Sequence, residues 1–157
     1  MHSNEIIVYT DGSCDTLRRI GAWVAIILFE KEKMVLKGND INTTHNRMEL
    51  LAVIKAIEYV DNILGKDYVI QLFTDSQYVM NLPARSGKLK AANYITKRGA
   101  ELQNADLMKR LIHLFTNRGV YFNKIKAHQK KDDTINYNRE ADHLSRRMVR
   151  ALVSKAG

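Results

Sequence analysis

Cysteine is almost absent from this sequence, and several other features that would indicate a particular class of protein are missing too. Cys14 is the single cysteine among 157 residues, which excludes an intramolecular disulfide and a cysteine-based zinc cluster and is typical of a reducing compartment. No apolar run approaches the ~20 residues that cross a bilayer, and the N-terminus lacks a basic-then-apolar signal pattern. Internal repeats, low-complexity tracts and linkers are also absent. We therefore expect a cytoplasmic protein that does not associate with membranes.

What is present is the composition of an ordinary globular domain with an excess of positive charge. Hydrophobic residues make up 45% and charged residues 27%, and the length fits one domain over residues 1–157. Lys and Arg outnumber Asp and Glu by 25 to 17, for a net charge of +8. Such an excess attracts polyanions, so nucleic acid is the first partner to consider. Nothing in the sequence requires a protein partner or an assembly larger than a monomer.

Two apolar segments end on the same pair of residues, Thr followed by Asp. Residues 6–10 predict a buried strand, which we expect to stop where Asp11 and Gly12 follow it. Residues 68–74 predict a second strand, which ends at Asp75. A strand–helix–strand connection makes the two strands parallel, so both acids are expected at the same edge of the sheet. Alternatively, Asp11-Gly12 is a favoured turn pair, and Asp75 can cap the helix that follows it.

Two further acids lie in predicted helices. The spacing of apolar residues predicts a helix over 47–60, with Glu49 at the edge of its apolar face. A final helix is predicted from about Asn138, and Asp142 follows four residues later, so both side chains face the same way. Structural alternatives exist for both acids. Glu49 fits a capping box that starts at Asn46, and Asp142 fits a negative charge near a helix N-terminus.

The remaining segments complete an α/β fold in which helices flank a five-stranded mixed sheet. Residues 21–29 and 34–38 follow the first strand through short connections, which predicts an antiparallel meander of strands one to three. Strands four and five are expected to be parallel. Pro83 is expected to end the short helix after the fourth strand, and residues 84–105 form a basic helical excursion, either a solvated face or a phosphate-contacting arm. The later elements are a helix over 105–117 and a strand over 120–126.

Together, the four acids indicate a metal site rather than four unrelated structural roles. Gathering Asp11, Glu49, Asp75 and Asp142 in one cleft is unfavourable through mutual repulsion unless a cation lies among them. Mg²⁺ fits, because it typically joins carboxylates with substrate phosphate oxygens, and Mn²⁺ is an alternative. Two ions ~3.5–4 Å apart could activate a water molecule and stabilise the leaving oxygen of a phosphoryl displacement. On a basic protein, this favours metal-dependent cleavage of phosphodiesters.

Five short motifs follow one another along nearly the whole chain. They are 9–14 (YTDGSC), 44–50 (THNRMEL), 73–79 (FTDSQYV), 126–128 (KAH) and 138–142 (NREAD). In order and content they closely resemble bacterial type I ribonuclease H. The resemblance implies a ribonuclease H-like fold and an endonuclease that cuts the RNA strand of RNA–DNA hybrids, leaving 5′-phosphate and 3′-hydroxyl ends.

The resemblance also implies roles for single residues. The ligands of two metal ions would be Asp11, Glu49, Asp75 and Asp142. His128 would assist proton transfer or product release, and Asn138 would help to position the site around Asp142. The expected contacts with the RNA strand are Cys14, Gln77 and Glu49. Thr44 and Asn104 would bind a phosphate of the DNA strand. Asn46 is expected to be a further substrate contact.

The chain departs from the family pattern outside the metal ligands. Residues 15–20 replace a glycine- and proline-rich loop, where Arg18 and Arg19 could supply phosphate contacts instead. His45 stands where relatives often have asparagine, and the basic excursion lacks a tryptophan. Two alternatives remain: a non-catalytic nucleic-acid-binding protein on the same fold, and a nuclease that acts on DNA strands or structured junctions. The Asn-Arg-Met-Glu and Asp-Ser-Gln-Tyr motifs favour the enzyme that cuts hybrids.

Overall fold

Five strands and four α-helices make up the described part of the chain in the computed structural model, which covers residues 4–125 and 133–156. The strands are β1 (Glu5–Asp15), β2 (Ile20–Phe29), β3 (Glu32–Asp40), β4 (Val69–Thr74) and β5 (Val120–Lys124). The helices are α1 (His45–Tyr59), α2 (Gln77–Ala91), α3 (Ala105–Phe115) and α4 (Asp133–Ala156). A π-helical segment (Val60–Leu64) extends α1.

The strands form one sheet in the order β3-β2-β1-β4-β5. β1, β2 and β3 pair antiparallel, whereas β4 pairs parallel with β1 and β5 pairs parallel with β4. The predicted five-stranded mixed sheet is therefore confirmed. Tyr9 of β1 lies opposite Phe73 of β4. Asp11 lies two residues after Tyr9, and Asp75 lies two residues after Phe73. This register places both acids at the same edge of the sheet, as predicted.

Helices cover both faces of the sheet. On one face, Ile6 and Val8 of β1 pack in a core that α1, α2 and α3 also build. On the other face, Tyr9 and Val24 pack in a smaller core with Ala141 of α4. A strand with both faces buried favours an unbroken run of apolar residues. This explains why apolar and polar residues do not alternate in residues 6–10.

The first strand does not stop at Asp11, contrary to the sequence prediction. β1 continues through Gly12 to Asp15, because its pairing with β2 extends to the Asp15–Ile20 pair. Its pairing with β4, by contrast, ends at Tyr9. The interpretation of Asp11-Gly12 as a turn is therefore wrong. Asp11 lies within a strand, just beyond the point where β4 separates from it.

Pro83 does not end a helix either. α2 runs through Pro83 to Ala91, and Leu82 and Leu89 are both buried in the larger core. The proline removes one hydrogen bond to the carbonyl four residues earlier, but the apolar contacts on both sides of it hold the helix together. The basic excursion predicted for 84–105 is therefore helical in its first part, and the rest consists of turns and a short bridge.

The last helix begins earlier than predicted, at Asp133 instead of near Asn138. Tyr137 packs against Tyr9 with ring centroids 5.2 Å apart, so the turn before Asn138 makes its own contact with the sheet. Asp142 consequently lies well inside the helix. Its interpretation as a charge in the first turn, which would stabilise the helix dipole, is therefore wrong.

The other elements begin and end close to their predicted positions. α1 begins at His45, α3 ends at Phe115 and β5 ends at Lys124, each within two residues of the prediction. Over residues 4–125 and 133–156, we find no helix with the length and apolar character needed to cross a membrane.

Candidate active site

The acidic cluster begins where α1 passes β1 at Gly12. A Cβ atom at this position would lie 2.6 Å from the Glu49 amide nitrogen and 2.7 Å from the Met48 carbonyl carbon, so only glycine allows so close an approach. The Gly12 N–H donates to Asp11 Oδ1 at 2.9 Å and to Glu49 Oε1 at 3.2 Å. One backbone donor thereby holds two acids from different elements.

The start of α1 determines the role of Glu49. Thr44 is the N-cap, and its side-chain oxygen accepts a hydrogen bond of 3.1 Å from the Arg47 amide. Because the N-cap is Thr44 and Asn46 lies inside the first turn, the capping box proposed from Asn46 is wrong. Glu49 is instead directed into the protein, where it is 1% exposed.

Asp75 is not a helix cap either. Ser76 is the N-cap of α2, and its hydroxyl accepts a hydrogen bond of 3.2 Å from the Val79 amide. Asp75 is exposed and joins the two buried acids. One carboxylate oxygen from each of Asp11, Glu49 and Asp75 lies within 4.8 Å of the others.

The electrostatics of this cluster fit a bound cation. Asp11 Oδ2 and Glu49 Oε2 are buried and have no hydrogen-bond partner among the described residues. Burial, reinforced by the charges of Glu49 and Asp75, raises the pKa of Asp11 to about 10. Buried carboxylate oxygens without a partner are unfavourable. A hard divalent cation would supply the missing partner and keep Asp11 ionised.

Asp142 reaches the same cleft from α4 but stands apart from the three clustered acids. Its Oδ1 accepts a hydrogen bond of 2.9 Å from Arg146 Nε, and its charge contributes to the raised pKa of Asp11. The structure therefore brings three of the four predicted ligands together and places the fourth on the wall of their cleft. Sequence reasoning missed Arg146 and Arg150, which also line the cleft. Their spacing of four and eight residues from Asp142 was the available signal.

A cleft of about 790 Å³ joins the acids to three predicted substrate contacts. Cys14, Asn46 and Gln77 all line it. His45 lines it as well, and its Nε2 lies 3.2 Å from Glu49 Oε1. The hydrogen bond to Glu49 raises the pKa of His45, so the acids favour the protonated form of this imidazole.

Arg47 links the two residues predicted to bind a phosphate of the DNA strand. Its amide bonds to Thr44, and its Nη1 lies 3.4 Å from Asn104 Oδ1. Asn104 also donates to the Tyr78 hydroxyl at 3.2 Å. The guanidinium binds Asp106 through both terminal nitrogens, at 2.9 and 2.7 Å, and lowers the pKa of Asp106 to about 2. Sequence reasoning missed Arg47, although it lies one turn beyond Thr44.

Asn138 lies one turn before Asp142 on α4. Its Oδ1 is buried without a hydrogen-bond partner among the described residues. The predicted residue His128 lies outside the described residues, and its role stays a prediction.

Comparison with known proteins identifies the family of this chain. A sequence profile for RNase H matches residues 3–150. The chain belongs to the RNase H family. It is 34% identical to the ribonuclease H of Caldicellulosiruptor saccharolyticus over 150 residues, which cover 94% of this chain and 98% of that protein. It is 35% identical to the ribonuclease H of Ehrlichia canis over 147 residues, which cover 93% and 95%. The predicted ribonuclease H enzyme is therefore confirmed.

Two solved structures share the fold of this chain. LC9-RNase H1, described as a type 1 RNase H with the type 2 active-site motif, superposes with a TM-score of 0.78 over 96% of this chain and 74% of that chain, at 19% identity. The foamy viral protease-reverse transcriptase, solved in complex with dsDNA, superposes with a TM-score of 0.72 over 89% and 90%, at 16% identity. At such low identity these structures show the fold alone.

Proposed function

We propose that the enzyme hydrolyses the RNA strand of RNA–DNA hybrids, leaves 5′-phosphate and 3′-hydroxyl ends, and uses Mg²⁺. One observation carries the metal assignment: Asp11, Glu49 and Asp75 converge, and two of their buried carboxylate oxygens lack a hydrogen-bond partner among the described residues. Hard oxygen ligands favour Mg²⁺, with Mn²⁺ as a substitute. The family membership supports the reaction class.

In this proposal, Asp11, Glu49 and Asp75 hold the metal, and Asp142 joins them from α4 as the fourth ligand of a two-ion site. When bound, the metal supplies a water molecule of lowered pKa and stabilises charge on the leaving oxygen. The Gly12 amide holds two of the carboxylates in a fixed relation. Because the three clustered acids lie in or beside regular elements, they are preorganised before substrate arrives.

The remaining predicted residues act on the substrate. We propose that Asn138 positions the site around Asp142 and that His128 assists proton transfer or product release. Cys14, Gln77 and Glu49 contact the RNA strand, and Asn46 is a further substrate contact. Their polar atoms can test for the 2′-hydroxyl, the group by which a protein distinguishes RNA from DNA.

We propose that the opposite strand of the hybrid binds where the N-termini of α1 and α3 meet. Thr44 and Asn104 contact one of its phosphates, and Arg47 lies between them as an additional donor. Phosphate contacts of this kind fix the position of the duplex without reading its sequence. We also propose that residues 1–157 form a single catalytic domain, which acts as a monomer in the cytoplasm.

The decisive experiment presents one labelled RNA strand in three forms, with Mg²⁺ and with EDTA. The strand is paired with DNA, paired with RNA, or left single. Cleavage of the hybrid alone, abolished by EDTA, is the expected result. Binding of the hybrid without cleavage would instead indicate a non-catalytic protein, and equal cleavage of all three forms would overturn the substrate assignment but keep the metal site.

A further inference from the structure

The connection between β1 and β2 carries the most exposed large apolar side chain of the described residues. Leu17 is 88% exposed at the tip of this hairpin, and Ile41 is 68% exposed in the neighbouring segment. The hairpin leads directly out of the cleft, because Ser13, Cys14 and Asp15 of β1 line it. Because a single exposed apolar side chain is common on protein surfaces, a partner is indicated only by its position beside the cleft and by its neighbours.

The hairpin tip is held in one conformation by local hydrogen bonds. Asp15 Oδ1 accepts from the amides of Leu17 and Arg18, at 3.1 and 2.8 Å. The Arg19 amide donates to the Asp15 carbonyl at 2.7 Å, and the Arg19 carbonyl accepts from the Thr43 amide at 3.1 Å. A tip that is already ordered loses little conformational entropy when it binds a partner.

The charges around Leu17 indicate the kind of partner. Arg18 and Arg19 are both exposed beside it, and they belong to a chain with a net charge of +8. Guanidinium groups bind phosphates, whereas apolar side chains pack against sugars and bases in the grooves of nucleic acids. A second copy of the chain would bring the same positive charges together and is disfavoured by repulsion. A nucleic-acid duplex that extends from the cleft past the hairpin fits both the positive charges and the exposed apolar side chain.

We propose that Leu17 packs into a groove of the duplex bound in the acidic cleft, while Arg18 contacts a neighbouring phosphate. This inference rests on the proposed function, because it takes the RNA–DNA hybrid as the occupant of the cleft. It assigns an apolar contact to the hairpin that replaces the glycine- and proline-rich loop of relatives. The contact contributes to affinity without changing the number of counterions that binding releases.

Four variants test the proposal: Leu17→Ala, Leu17→Met, Arg18→Gln and, as an apolar control outside the cleft, Ile63→Ala, which changes a side chain that is 64% exposed. Fluorescence anisotropy with a labelled RNA–DNA hybrid in EDTA gives Kd at several salt concentrations, and Mg²⁺-dependent cleavage gives KM and kcat. We expect Leu17→Ala to raise Kd and KM by about five- to tenfold with kcat unchanged. Leu17→Met should bind like the wild type, because it keeps an apolar side chain of similar size, and Ile63→Ala should also match it.

The salt dependence separates the two kinds of contact. Plots of log Kd against log salt should keep the wild-type slope in Leu17→Ala and lose about one unit of slope in Arg18→Gln. The proposal would be overturned if Kd were unchanged in Leu17→Ala, or if Ile63→Ala raised Kd equally. It would also be overturned if Leu17→Ala changed the sedimentation coefficient of the free protein relative to wild type, because Leu17 would then contact a second copy of the chain. Wild-type protein that binds the hybrid without cutting it would overturn the proposed function alone, because Kd in EDTA still reports on Leu17.

Discussion

At the scale of single residues, Asp11 is a buried carboxyl group in an electrostatically unfavourable position beside other carboxylates. Burial and the neighbouring carboxylates raise its pKa from 3.8 to about 10. The folded protein therefore keeps a proton that the unfolded chain releases, so the metal-free protein should lose stability as the pH rises through this range. The penalty disappears when the carboxylate is replaced by an amide or neutralised by a cation.

We therefore predict that Asp11→Asn raises the free energy of unfolding in EDTA at pH 7, by on the order of 1–2 kcal/mol, while it abolishes cleavage. Adding Mg²⁺ should stabilise the wild type but not the variant, because only the wild type keeps the complete ligand set. Urea unfolding with and without Mg²⁺ measures both effects. The exposed Asp67→Asn is the matched control and should change neither. A large loss of stability in Asp11→Asn would indicate a structural role for this acid.

Asp106 shows the opposite shift, because Arg47 lowers its pKa from 3.8 to about 2. The ion pair stabilises the folded state above pH 4, and this contribution is lost as the pH falls through the folded pKa. Since the Asp106 side chain is 63% exposed, we predict that Asp106→Asn costs less than about 1 kcal/mol at pH 7 and that the difference from wild type shrinks below pH 4. Urea unfolding between pH 3 and 7 measures the difference.

Asp106 also lies in the first turn of α3, where a negative charge is favourable. A double-mutant cycle with Arg47→Ala separates this contribution from that of the Arg47–Asp106 ion pair. We expect a coupling energy at pH 7 that disappears at low pH. A coupling energy near zero at pH 7 would show that the helix dipole, not Arg47, accounts for the effect of Asp106→Asn.

At the scale of elements, a buried ion pair connects the π-helical segment after α1 to the turn before β5. Asp61 Oδ1 accepts a hydrogen bond of 2.8 Å from Arg118 Nε, and the two side chains are 9% and 7% exposed. Arg118 also donates to the Tyr68 carbonyl. Removing one partner of such a pair leaves an uncompensated charge in the interior.

We predict that Asp61→Ala lowers the free energy of unfolding by about 3–5 kcal/mol. Glu58→Ala breaks the more exposed pair with Arg110 and should cost less than about 1 kcal/mol. Urea unfolding of both variants measures the contrast. Equal losses in the two variants would show that burial of the Asp61 pair is unimportant. Combining Asp61→Leu with Arg118→Met should recover part of the lost stability, because no charge is then left without a partner, whereas the Tyr68 carbonyl loses its donor.

At the scale of the whole molecule, the excess of 25 basic over 17 acidic residues predicts strongly salt-dependent binding of the substrate. Each phosphate that the protein neutralises releases condensed counterions, so affinity falls as salt rises. For about four phosphate contacts, KM for the hybrid should rise about a hundredfold between 50 and 200 mM salt. Steady-state cleavage over this range measures the change. A KM that does not respond to salt would show that binding does not depend on phosphate contacts.

The sequence was sufficient to predict the elements whose formation depends on local pattern. The apolar runs predicted the strands, and the repeated Thr-Asp ends predicted that Asp11 and Asp75 share one edge of the sheet. It was not sufficient where distant partners decide the outcome. β1 continues past Asp11 because β2 pairs with it, and α2 continues past Pro83 because the core holds both sides of it.

The close passage of α1 over β1 has a consequence for how position 12 tolerates change. The donor shared by Asp11 and Glu49 belongs to the main chain, so every substitution except proline keeps it. The steric limit, by contrast, is reached with the first carbon added, which would meet backbone atoms of Met48 and Glu49. A saturation library at this position should therefore show a single step in fitness between glycine and all other residues, with no dependence on polarity or charge.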